Sequence, residues 1–82
     1  DIMEKKKIFK KIRDLVCEQL SIERDSVKPE TEIYKGLGAD SLDLVEMLMN
    51  VESEWDIVVE DGEVGDLKVI GDVVDLVYRK IN

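Results

Sequence analysis

From Met3 to Leu20 the chain has neither glycine nor proline, and Ile8, Ile12, Leu15, Val16 and Leu20 recur at helical spacing between lysines and acids. Such a segment is an amphipathic helix with one apolar face to bury. With 82 residues the chain has room for a single domain around a single core, spanning 1–82. Hydrophobic residues make up 44% of it, enough for that core, and charged residues make up 39%, so the outside is ionic. Asp1 and Ile2 stand ahead of Met3 and read as an appended scar before the natural start. Cys17 is expected as a small residue in or beside the core. As the only cysteine it can form no internal disulfide, and no second thiol supports a redox role.

The helical pattern breaks between Ser21 and Asp40, where Ser26, Lys28-Pro29-Glu30-Thr31 and Gly36-Leu37-Gly38 are loop and turn residues. A loop of that length must be pinned down, and Ile22, Val27, Ile33, Tyr34 and Leu37 are the side chains expected to do it. Asp40 then reads as the N-cap of a second helix, with Asp43 and Glu46 near its positive end. Val45, Leu48, Val51 and Trp55 form one stripe at steps of three and four, and are expected in the core. Leu42, Leu44, Met47 and Met49 are a surplus outside that stripe, part of which should face solvent or a partner. Residues 56–70 stay open between two readings. Ile57-Val58-Val59, the Asp61-Gly62 turn signal and Lys68-Val69-Ile70 fit a β-hairpin, whereas Glu63 to Leu67 fits a short helical turn. From Asp72 to Ile81 the spacing predicts a last helix, with Val73, Val74, Val77 and Ile81 on one face.

Charge is distributed unevenly. Residues 1–28 carry eight Lys/Arg and six Asp/Glu, whereas residues 29–82 carry four and fourteen. The total of −8 repels phosphate backbones and argues against a nucleic-acid partner. With no histidine, the chain can hold neither a Ser-His-Asp or Cys-His set nor a His-based metal site. Asp56, Glu60, Asp61, Glu63 and Asp66 lack the spacing and glycine placement of a calcium loop. No apolar run approaches the ~18–20 residues that cross a bilayer, and no signal-peptide pattern opens the chain. The expectation is a cytoplasmic monomer that is not inserted in a membrane.

One short run carries chemistry: Gly38-Ala39-Asp40-Ser41-Leu42. Ser41 sits where a loop enters a helix, just behind the N-cap. It is no self-sufficient nucleophile, because nothing in the chain is indicated as its base. As an acceptor modified by another protein it is well placed, since free N–H groups at a helix N-terminus favour an anion. Taken alone, Asp-Ser-Leu reads as a plain first helical turn with no chemistry.

The longer run Leu37-Gly38-Ala39-Asp40-Ser41-Leu42-Asp43-Leu44-Val45-Glu46 resembles the entrance to the second helix of acyl carrier proteins. Glu18-Gln19-Leu20, Trp55-Asp56-Ile57 and Asp72-Val73-Val74-Asp75 resemble further stretches of that family at the right distances, across essentially the whole chain and without gaps. The resemblance implies an all-α fold, a small bundle of three main helices plus a short helix or turn between the second and last. It implies a carrier without catalytic activity of its own. Ser41, with Asp40 completing the motif, would receive 4′-phosphopantetheine from coenzyme A through a phosphopantetheinyl transferase, making the modified chain a phosphoprotein. The arm's thiol would hold acyl chains as thioesters for fatty-acid synthesis enzymes with basic docking patches. Leu42 and Met49 match apolar docking positions, and Asp43, Glu46, Glu52 and Glu54 lie in the matching acidic region.

The chain departs from the family pattern at Lys35-Gly36, at Glu60 where a proline is usual, and at Val69 where a Thr or Ser cap is expected. Gly62 and Gly65 fall in the short-helix region, at about 1 kcal/mol each against alanine. These departures leave the serine motif untouched and raise the alternative of a dedicated carrier for a polyketide, lipid-modifying or aminoacyl route. A separate alternative, from a different class, is an unmodified acidic interaction domain.

Overall fold

The computed structural model describes all residues, 1–82, as four helices joined by ordered loops. Helix α1 spans Ile2–Leu20, α2 spans Ser41–Trp55, α3 is a single turn at Asp61–Val64, and α4 spans Ile70–Ile81. A short 3-10 turn occupies Arg24–Ser26 in the long first loop. The architecture is the expected all-α bundle of three main helices and one short one.

The core holds sixteen buried residues, all apolar. Helix α1 contributes Ile8, Ile12 and Val16, and packs against α4 and α2. Leu15 and Leu20, expected on the same face, are only half-buried. Cys17 is half-buried against the core, as expected, and burial pushes its thiol pKa up. In the first loop Val27 and Ile33 are buried and Ile22 and Leu37 partly so, while Tyr34 is exposed and pins nothing. Each buried Val, Leu or Ile contributes about 1.5–3 kcal/mol relative to exposure.

The inward face of α2 differs from the expected stripe. Leu44, Met47, Leu48 and Val51 are buried, whereas Val45 is exposed and Trp55 is only half-buried. With apolar residues at 42, 44, 45, 47, 48, 49 and 51, two overlapping stripes have good helical spacing, and the packing of α1 and α4 selects between them. Helix α4 shows a similar shift. Leu76 joins Val73, Val74 and Val77 inside, and Ile81 lies outside.

The hairpin reading of residues 56–70 fails for a specific reason. Its strands would need free backbone N–H groups, and acidic side chains take them. Val59 N donates to Glu52 Oε2 at 2.8 Å, and both Lys68 N and Val69 N donate to Asp72 Oδ2, at 2.9 and 3.0 Å. Glu60 N likewise donates to Glu63 Oε1 at 2.8 Å, which opens α3. Helices α3 and α4 are thus capped by acids reaching backward, from Glu63 and Asp72, in place of the usual cap residue. The only β feature is an isolated antiparallel bridge between Glu32 and Val69, which ties the first loop to the entrance of α4. Ile33 N donates to Lys68 O and Ile70 N to Thr31 O, each at 3.0 Å, and together these bonds order the long loop that delivers the chain to α2.

Candidate functional site

Two glycines shape the approach to Ser41. At Gly36 the backbone passes so close to the preceding turn that a Cβ would lie 2.6 Å from Glu32 O. Gly38 takes φ +71°, a left-handed conformation open to glycine at no steric cost. The turn sends Ala39 into the core and leaves Asp40, Ser41 and Leu42 exposed on the far side.

Asp40 is the N-cap, as its side chain predicts. Its Oδ1 accepts from Asp43 N at 2.9 Å, while Asp43 Oδ2 accepts from Asp40 N at 3.0 Å. Leu44 N donates to Asp40 O at 3.0 Å and starts the regular ladder. The N–H groups of Ser41 and Leu42 therefore bond to nothing in the chain and point from the positive end of a 15-residue helix. Helix α1 steadies this turn from behind, through Gln19 Nε2 donating to Asp43 O at 2.8 Å. The result is an exposed hydroxyl on a fixed turn with two open amides beside it.

Beyond the serine, Leu42, Val45 and Met49 are 77%, 53% and 62% exposed at steps of three and four, so they form one apolar stripe. Val45 is the member that the sequence reading assigned to the core. The four acids expected near this face have different surroundings. Glu46 is exposed and makes no ion pair. Asp43 is half-buried and committed to the cap. Glu52 is half-buried and holds Val59 N, and Glu54 pairs with Lys11 at 3.8 Å. Sequence reasoning missed Gln19 as a support and Asp43 as a reciprocal cap. The Asp-x-x-Asp spacing is a visible signal for the second, since it is a capping box with a shorter acid.

An exposed serine on a helix's first turn is open to modification by another protein. Comparison with known proteins agrees. The family model described as "Phosphopantetheine attachment site" matches residues 10–77. An acyl carrier protein of Trieres chinensis is 45% identical over 69 residues, covering 84% of this chain and 86% of that one. An acyl carrier protein of Thermotoga maritima is 34% identical over 77 residues, covering 94% and 95%. The crystal structure of a Thermotoga maritima acyl carrier protein superposes with a TM-score of 0.84 at 30% identity, covering 96% of this chain and 92% of that one. The chain belongs to the acyl carrier protein family. It is a carrier and not an enzyme, and the group the family carries is 4′-phosphopantetheine.

The residues present fit such a group. The serine oxygen is accessible, the open Ser41 and Leu42 amides suit a phosphate oxygen, and no bulk crowds Gly38 just upstream. No helix is long and apolar enough to cross a membrane.

Proposed function

We propose that Ser41 takes the 4′-phosphopantetheine arm and that the chain holds growing acyl chains for the enzymes of dissociated fatty-acid synthesis. The observation that carries this reading is the exposed Ser41 hydroxyl directly behind the Asp40 cap, in a chain of the phosphopantetheine-attachment family. Ser41 Oγ bonds to the phosphorus of coenzyme A that bears the pantetheine, the pyrophosphate P–O bond breaks, and adenosine 3′,5′-bisphosphate leaves. With no histidine in the chain, the base that accepts the Ser41 proton belongs to the transferase. The arm supplies a thiol that binds acyl groups as thioesters. Asp40 and Asp43 hold the turn rigid, and the open amides of Ser41 and Leu42 stabilise the negative charge beside it.

Partner enzymes dock along α2. Leu42, Val45 and Met49 make the apolar contact, and Glu46, with Asp43 at the helix start, attracts Arg and Lys on the partner. Glu52 and Glu54 add to the negative field, although each already holds a partner within the chain.

The test is intact mass after incubation with a phosphopantetheinyl transferase and coenzyme A. Wild type gains the mass of one arm, and Ser41→Ala folds and gains none. An arm on Ser41→Ala would overturn the assignment. An unmodified wild type would favour an acidic domain that works by binding alone. Loading of the modified protein by fatty-acid synthesis enzymes then tests the pathway.

A further inference from the structure

We propose that the groove across Phe9, between α1, the Pro29 loop and the start of α4, is a second docking surface that takes an acidic peptide segment of a partner protein bearing one large apolar side chain. It uses none of the residues around Ser41 and stands whether or not that serine is modified.

Two concave spaces meet at Phe9 and Pro29. One, of about 370 Å³, lies between Phe9 and Val74 and includes Lys6 in its lining. The other, of about 460 Å³, lies over Val27 between Arg13 and Lys28. Each is large enough for an aromatic or branched side chain. The wall between them is fixed. Gly71 N donates to Pro29 O at 2.7 Å, and Lys28 N donates to Thr31 Oγ1 at 2.9 Å, so the groove exists before anything binds.

The charge of this groove is opposite to that of the molecule. The chain carries −8, yet the residues lining the two spaces include five cations and only two acids. Asp75 is neutralised by Lys5 at 3.2 Å and Arg24 is taken by Asp14 at 3.3 Å, while Asp25 has no cationic partner and stands against Lys6 and Lys28 as one free acid against two free cations. Lys6 and Lys28 have no acidic partner. Arg13 lies over the Phe9 ring at 5.7 Å and is paired with Asp14 at 3.9 Å, so it counts as wall and not as free charge. A trough with apolar walls at Phe9, Val27 and Val74 and two free cations, Lys6 and Lys28, in its lining matches carboxylates flanking a hydrophobic anchor.

A peptide suits this groove better than the other anionic occupants. An anionic bilayer is extended and flat and would meet the repulsion of the whole acidic molecule. A short segment feels mainly the groove, within the ~8–10 Å over which charges act at ordinary salt. A second copy of the chain would bring another eight negative charges with it.

The experiment titrates the isotope-labelled full chain with three synthetic pentapeptides, followed by NMR. They are an acidic one with central phenylalanine, the same with central serine, and the phenylalanine one with lysines for the acids. The expected result is shifts at the amides of Phe9, Gly71 and Val74 with the first peptide only. Affinity should fall about tenfold in the double variant Lys6→Glu with Lys28→Glu, checked for folding by circular dichroism. Shifts absent from those amides, equal binding of the three peptides, or undiminished binding by the double variant would overturn the proposal. So would a concentration-dependent dimer in sedimentation that the variant abolishes, which assigns the groove to a second copy. Co-sedimentation with phosphatidylglycerol vesicles in preference to the peptide assigns it to a membrane, and equally overturns it.

Discussion

Asp40 and Asp43 exchange hydrogen bonds across the first turn of α2, with Asp43 N donating to Asp40 Oδ1 at 2.9 Å and Asp40 N to Asp43 Oδ2 at 3.0 Å. The exchange closes around Ser41 without touching its hydroxyl. Asp43, expected in the acidic docking region, is therefore also a structural member of the serine turn, alongside the Asp40 cap.

The two roles of Asp43 separate by substitution. Asp43→Ala should lower stability by about 0.5–2 kcal/mol, the usual cost of losing a cap bond. Asp43→Asn keeps an acceptor oxygen and removes the charge. It should stay close to wild type in thermal melting while arm transfer becomes less salt-dependent. Equal melting temperatures for all three proteins would show that the reciprocal cap contributes nothing.

The orientation of α2 predicts opposite outcomes at adjacent positions. Leu44 is buried, so Leu44→Ala should cost about 2–5 kcal/mol. Val45 is exposed, so Val45→Ala should stay within about 0.5 kcal/mol while shortening the lifetime of the complex with the transferase. Chemical denaturation measures the first pair and surface plasmon resonance the second. A large loss from Val45→Ala would return that residue to the core.

Glu46 is the acid on this face that is free of internal commitments, which makes it the clean probe of electrostatic attraction. Glu46→Lys should slow arm transfer strongly at low salt and far less at high salt, with stability unchanged. Transferase kinetics across a salt series decides this. A wild-type rate at low salt would leave solubility as the only role of that charge.

Glu63 joins α3 to α4. Its carboxylate meets Lys80 Nζ at 2.8 Å and Arg79 at 3.2 Å, and accepts from Glu60 N at 2.8 Å. The hydrogen bond from Lys80, followed by that from Glu60 N, lowers its pKa from 4.5 to about 2. Because the folded value is depressed, the stabilisation is fully present above pH 4.5 and is lost as pH falls towards about 2. Glu63→Gln should melt below wild type at neutral pH, and the gap should close through that interval. A gap independent of pH would place the effect outside the ionised carboxylate.

Helix α3 contributes no fully buried residue, so its amides should exchange fastest outside the chain ends. The protected segment should resume at Leu67 and Ile70, which are buried. Protection across Asp61–Val64 equal to that in the middle of α2 would mean that the backward-reaching acids hold this turn more firmly than its packing does.

Helix α1, the entry to α2 at Asp40 and the Ser41 motif were legible in the sequence because each is written in neighbouring residues. A run free of glycine and proline, a cap side chain and a left-handed Gly38 act within one or two turns of themselves. The face α2 buries was not legible, because its apolar residues satisfy two stripes and only the surfaces of α1 and α4 choose Leu44 and Met47 over Val45. Nor was the course of residues 56–70, whose local pattern favours a hairpin as much as a turn. There Glu63 and Asp72 claim N–H groups three or four residues before them, local caps whose spacing is visible in the sequence, and the tertiary structure adds the contacts that are not, beginning with Glu52 on Val59 N. The 31–33 segment also takes the backbone of Lys68 and Ile70. A backbone donor goes to whichever acceptor the fold brings within reach, and those acceptors lie up to 39 residues away in the chain, at Thr31 for Ile70.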